Sequence, residues 1–145
     1  MALAGKDKYL LTPGPLTTSL ATKQAMLRDW GSRDSEFIAI TRRIRECLLA
    51  IAGAAQSHVA VPLQGSGTFG LEATLGTLIG PGQQTLVLTN GAYGKRIVSI
   101  LERLGRPVSA LDWREDQQVD PRALEAALRR SSAIDYVVVV HCETT

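Results

Sequence analysis

At 145 residues, 45% hydrophobic and 21% charged, with 13 Gly and 6 Pro, the sequence suits one ordinary globular domain and excludes a disordered or collagen-like chain. A chain of this length buries enough apolar surface to need no disulfide or metal staple. Sixteen basic against fourteen acidic residues leave a net charge of +2, too small to indicate nucleic acid or an anionic membrane as a partner.

The N-terminus turns charged at Lys6-Asp7-Lys8 before an apolar run of signal-peptide length builds up. No window approaches the roughly 18 consecutive apolar residues of a membrane span. Cys47 and Cys142 are the two cysteines, without a CxxC or zinc-spaced histidines, which points to a reducing compartment and a cytoplasmic protein. Residues 9–19 hold two prolines around a glycine and exclude regular structure, so 1–20 reads as an N-terminal arm.

A helix is expected from Thr18 to Arg28. A longer one begins after an Asp34 N-cap and runs to Ala52, with Phe37, Ile40, Ile44, Leu48 and Ile51 at helical spacing and Gly53 as a stop. Then the rhythm changes. His58–Leu63 reads as a strand, Gly67–Ile79 as a helix, Thr85–Thr89 as a second strand, Tyr93–Leu104 as a helix and Pro107–Leu111 as a third strand. Asp120-Pro121 is an N-cap with proline at the first helical position, opening a helix to Arg130. Tyr136–Val140, apolar on both faces, predicts a fourth strand in the middle of the sheet. This alternation predicts an α/β domain with a mostly parallel sheet. The sequence stops just past that strand, where open sheets carry functional loops, so the domain is expected to be incomplete in this chain.

Gln64-Gly-Ser-Gly-Thr-Phe-Gly70 is the most informative segment. A glycine turn that opens a helix offers backbone N–H groups and a helix dipole to an anion, and Ser66 and Thr68 add hydroxyls that suit a phosphate. The bland alternative is a strand-to-helix turn that needs its glycines only for geometry. Gly65, Gly67 and Gly70 also fit the dinucleotide fingerprint, but the following strand ends Leu88-Thr89-Asn90-Gly91 without the carboxylate that would hold a ribose. A Walker loop fails, because no Lys-Ser or Lys-Thr closes the turn.

Thr12-Pro-Gly-Pro15, Gln64-Gly-Ser-Gly-Thr68, Asn90-Gly-Ala-Tyr-Gly-Lys-Arg96 and His141-Cys-Glu-Thr-Thr145, in this order and spacing, resemble the class V aminotransferases. The resemblance implies the three-layer large domain of the fold type I pyridoxal-phosphate enzymes, aspartate-aminotransferase-like, with 21–145 as its N-terminal part. It implies transfer of the amino group of 2-aminoethylphosphonate to pyruvate, giving phosphonoacetaldehyde and L-alanine, in phosphonate catabolism. Alternatives are a related alanine–glyoxylate or serine–pyruvate transamination, or a non-catalytic remnant that binds a phosphate compound or a partner chain.

The resemblance assigns the phosphate of pyridoxal 5′-phosphate to Ser66, Gly67 and Thr68, ring stacking to Tyr93, and a hydrogen bond to the ring oxygen to Thr144. It places Gly14 and Arg33 near the substrate. It also implies a homodimer, with no nucleic acid or membrane as partner and no metal. Glu143 receives no role, and His141 beside Cys142 is read as structural and buried rather than as a nucleophilic dyad. The chemistry requires a lysine to carry the cofactor and a carboxylate on the pyridine nitrogen. None of Lys6, Lys8, Lys23 and Lys95 matches that lysine, so no catalytic residue is assigned and the chain alone is expected to be inactive.

Overall fold

The structure is a computed structural model and describes residues 8–12 and 14–144. Lys6, Pro13 and Thr145, which enter the motifs above, lie outside the described residues. Two compact units divide between Leu63 and Gln64.

The first unit is helical. Helix α1 covers Leu20–Ala25, with the Ser19 hydroxyl accepting from the Thr22 amide at 3.2 Å. It is shorter than the expected Thr18–Arg28. None of its residues is buried, so no tertiary packing carries the helix further, and a helix this short is marginal even for good helix formers. Helix α2 covers Ser35–Ile51 and starts at Asp34 as expected. The Asp34 carboxylate turns back to accept from the Gly31 amide at 2.8 Å instead of capping the helix. Glu36 lies in the first turn, where the helix dipole favours a carboxylate, and pairs with Arg28 at 2.8 Å. Arg28 also stacks 4.1 Å from the centre of the Trp30 ring. The apolar face of α2 stays open: Ile44 and Leu48 are each 49% exposed.

His58–Leu63 does not form the expected strand. Val59 and Val61 alternate as in a strand, but both are exposed, and Pro62 has no N–H to give a ladder. An extended segment becomes a strand only when another backbone pairs with it, and none does here among the described residues.

The second unit carries the α/β pattern. Helix α3 spans Gly67–Leu78, strand β1 Gln84–Thr89, helix α4 Ala92–Arg103, strand β2 Val108–Asp112, helix α5 Pro121–Arg130 and strand β3 Ile134–Val139. The strands form a parallel sheet in the order β2-β1-β3, with Leu88 facing Leu111 on one side and Val139 on the other. Asp120 caps α5 by accepting from the Arg122 amide at 2.9 Å, as its Asp-Pro start predicts.

The central strand is therefore β1, not the valine-rich β3. From Thr85 to Thr89 every residue of β1 is buried, whereas β3 sits at an edge with alternate residues exposed. Val137 and Val139 are 41% and 50% exposed, because nothing described covers their side of the sheet. Leu75 and Ile79 of the α3 segment, Val87 of β1, and Ile97, Ile100 and Leu101 of α4 form the core. The Tyr136 hydroxyl donates to the Leu78 carbonyl at 2.9 Å and ties β3 to the end of α3.

Candidate functional site

The site grows from the two helix starts at the carboxyl end of β1. At α3 the chain arrives through Gly65, whose φ of 149° lies outside the range of ordinary L-residues. A Cβ there would also come within 2.7 Å of the Phe69 ring. The Ser66 hydroxyl then accepts from the Phe69 amide at 3.2 Å, and its carbonyl from the Gly70 amide at 3.0 Å. Gly67 and Thr68 occupy the first two helical positions, where an amide has no carbonyl four residues earlier within the helix. The cap is a neutral hydroxyl, so the positive end of this helix dipole is not compensated by its own cap.

At α4 the arrangement is different. The helix starts directly after β1 through Asn90 and Gly91, and Gly94 lies against the strand end. A Cβ on Gly94 would lie 3.0 Å from both Cα and Cβ of Thr89, so glycine sets this close approach. The Glu143 carboxylate, carried past the end of β3, accepts from the amides of Tyr93 and Gly94, each at 3.2 Å from Oε2. Its Oε1 accepts from the Thr144 amide at 3.2 Å. An acidic side chain from one strand end therefore caps the helix that follows another.

Arg96 joins the two helices. Its Nη1 donates to the Thr68 hydroxyl at 3.3 Å, and its guanidinium lies 5.1 Å from the centre of the Tyr93 ring, within cation–π range. Thr68, Arg96, Tyr93, Glu143 and Thr144 thus form one unbroken series of contacts, although they span 76 positions of sequence from Thr68 to Thr144 (144 − 68). A pocket of about 430 Å³ opens beside it, lined by Thr68, Glu72, Lys95, Arg96, Ser99 and Arg103. Three cations face one carboxylate there, so the wall is net positive and complements an anion.

Of the sequence-predicted site residues, Ser66, Gly67, Thr68, Tyr93 and Thr144 belong to this second unit. Tyr93 follows β1 and Thr144 follows β3, but the Ser66 turn follows an unpaired extended segment rather than a strand. Gly14 and Arg33 belong to the first unit. A Cβ on Gly14 would meet nothing within 4 Å, and Arg33 is exposed without an ion pair among the described residues. Cys142 is exposed, not buried as expected, because it sits in the loop after an edge strand. Two contributors had no assigned role in the sequence, Arg96 and Glu143. The signal for Arg96 was its place one turn after Tyr93. Nothing local in His141-Cys-Glu-Thr144 says which helix Glu143 reaches.

No family model matches the sequence. The chain is 55% identical over 144 residues to 2-aminoethylphosphonate–pyruvate transaminase 2 of Burkholderia lata, covering 99% of this chain and 38% of that protein. It is 51% identical over 142 residues to 2-aminoethylphosphonate–pyruvate transaminase 1 of Polaromonas sp., covering 96% of this chain and 38% of that protein. Among solved structures, an alanine–glyoxylate aminotransferase from Nostoc sp. matches with a TM-score of 0.83 at 27% identity, covering 99% of this chain and 38% of that one. The chain therefore spans a little over a third of the length of these relatives. With sequence identity above one half to the first of these relatives and a TM-score of 0.83 to the solved aminotransferase, the chain shares the sequence and fold of part of these aminotransferases along nearly its whole length.

Proposed function

We propose that this chain is the cofactor-phosphate portion of a pyridoxal-phosphate-dependent transaminase that moves the amino group of 2-aminoethylphosphonate to pyruvate, giving phosphonoacetaldehyde and L-alanine. The observation that carries the cofactor reading is the neutral-capped start of α3 beside a cationic wall. The donor set fits pyridoxal 5′-phosphate: two helix-start amides, the hydroxyls of Ser66 and Thr68, and the Arg96 guanidinium suit a dianion. The substrate assignment rests on the names of the 51–55% identical relatives.

When bound, the cofactor supplies an electron sink for the carbanion formed at the amino-bearing carbon. The chain's own residues bind and orient. Ser66, Gly67 and Thr68 receive the phosphate, with Arg96 holding the Thr68 hydroxyl and adding a charge that phosphate favours. Tyr93 offers a ring face for stacking, its backbone pinned by Glu143. Thr144 presents a hydroxyl for the phenolic oxygen of the ring. Gly14 and Arg33 are assigned to the substrate side, Arg33 as a partner for a phosphonate or carboxylate. The working assembly in this reading is a cytoplasmic homodimer.

Ser66→Asp tests the phosphate assignment without removing the cap. Aspartate caps as well as serine and suits the helix dipole, so folding stability is kept. Its carboxylate repels a dianion at the same amides. Equilibrium dialysis with pyridoxal 5′-phosphate is expected to show affinity at least about tenfold weaker, which corresponds to about 1.4 kcal/mol. Unchanged affinity in a folded Ser66→Asp chain would remove the phosphate from this turn.

A further inference from the structure

The starts of α3 and α4 face the same chemical problem and solve it differently. Each helix start leaves amides without intrahelical partners and carries the positive end of a dipole, so each attracts an anion. At α3 the cap is the Ser66 hydroxyl. At α4 no side chain of the N-cap position itself can serve, because that residue is Gly91. The carboxylate of Glu143 fills the place instead, 50 residues away in sequence, with bonds to the amides of Tyr93 and Gly94. The same carboxylate takes the Thr144 amide, so one group fixes the residue after it against the first turn of α4.

The geometry points to Glu143 as a positioning residue: its carboxylate is a built-in anion that occupies the start of α4, fixes Tyr93 relative to Thr144 and leaves the start of α3 to an external phosphate. The last clause rests on the cofactor reading above; the occupation of α4 does not. A phosphate arriving at this end of the sheet finds α4 already neutralised, and a second anion there would be repelled by Glu143. Charge therefore selects between two otherwise similar amide clusters. Arg96, bonded to Thr68 and stacked on Tyr93, adds its cation on the α3 side of that choice.

The test is a titration of the 145-residue chain with inorganic phosphate, followed by amide proton–nitrogen correlation spectra at constant ionic strength. In the native chain the Gly67 and Thr68 amides are expected to shift with phosphate, while those of Tyr93 and Gly94 stay fixed. In Glu143→Ala the Tyr93 and Gly94 amides become responsive, with apparent affinity raised about fivefold, the size of a favourable anion interaction at a helix start. Glu143→Gln keeps the side chain's shape and one acceptor oxygen but loses the charge. It is expected to hold the dispersed amide spectrum and give an intermediate response at Tyr93 and Gly94, which a purely structural role for Glu143 would not produce. Native Tyr93 and Gly94 amides that respond to phosphate, with no change in either variant, would overturn the proposal. Silent Gly67 and Thr68 amides beside a gained response in Glu143→Ala would sink the phosphate turn and leave the role of Glu143 at α4 standing. Should Glu143→Ala lose its dispersed spectrum, the Glu143→Gln titration decides alone, and a response equal to that of the native chain counts against the proposal.

Discussion

Gly94 and Thr89 determine how closely the first turn of α4 approaches the end of β1, and the margin is a single carbon atom. A Cβ at Gly94 would press on the Cα and Cβ of Thr89 at 3.0 Å, and the backbone of Thr89, buried and paired with Asp112 of β2, has little room to yield. Thr89 is further held by its hydroxyl's bond to the Asp112 carboxylate and by its carbonyl, which accepts from the Trp113 amide at 2.8 Å. For Gly94→Ala the helix propensity gain of up to about 1 kcal/mol opposes an overpacking cost of about 1–3 kcal/mol, and the cost wins. Urea denaturation is expected to show a lower midpoint for Gly94→Ala. Gly76→Ala is the control: its Cβ would meet Leu104 at 3.6 Å, an ordinary contact, so the midpoint should hold or rise. Equal losses in both would mean that crowding at the site plays no part.

The helices and strands of the second unit depend on α4 more than on any other helix. Ile97, Ile100 and Leu101 lie on one face of it and are buried against Leu75, Ile79 and Val87. Leu101 is wholly buried, so Leu101→Ala is expected to cost about 2–5 kcal/mol through lost burial and the cavity left behind. Ile44→Ala on the open face of α2 should cost no more than about 1 kcal/mol, because half of that side chain is already in water. Chemical denaturation of the two variants checks the contrast, and similar losses would mean that α2 is packed as tightly as α4. Much of this was legible beforehand. The periodic apolar positions of α4, the Asp120-Pro121 start of α5 and the short β1 and β2 segments are local signals, and each element lies within a residue or two of its expected bounds. What failed was non-local. Val137–Val140 has the composition of a central strand, yet its neighbours leave it at an edge; Val59 and Val61 have strand spacing but no pairing partner. The glycine turn at the start of α3 was readable because a glycine run before a helix is a local pattern. The Glu143 bonds to α4 were not, since they join residues 50 positions apart through the order of the strands.

At the scale of the whole chain, binding and chemistry separate. The chain carries an anion-complementary turn and a ring-stacking candidate, but none of its lysines stands in a motif that matches the cofactor-bearing lysine of the aminotransferases it resembles. Lys95 is exposed in the first turn of α4 and lines both the pocket of about 430 Å³ beside Thr68 and Arg96 and an open pocket of about 680 Å³ with Asp112–Gln117. Thr144 follows β3, the neighbour of β1 on the side opposite β2. A proton-transfer group must come within about 2.6–3.2 Å of the atom it serves, and no hydrogen bond among the described residues ties the Lys95 amine to Tyr93 or Thr144. The purified 145-residue chain is therefore expected to bind pyridoxal 5′-phosphate through its phosphate and to form no alanine from 2-aminoethylphosphonate and pyruvate. Borohydride treatment followed by peptide mass analysis should find no more cofactor on Lys95 than on exposed Lys8. Alanine formation that is lost in Lys95→Ala, with preferential labelling of Lys95, would make Lys95 the catalytic amine.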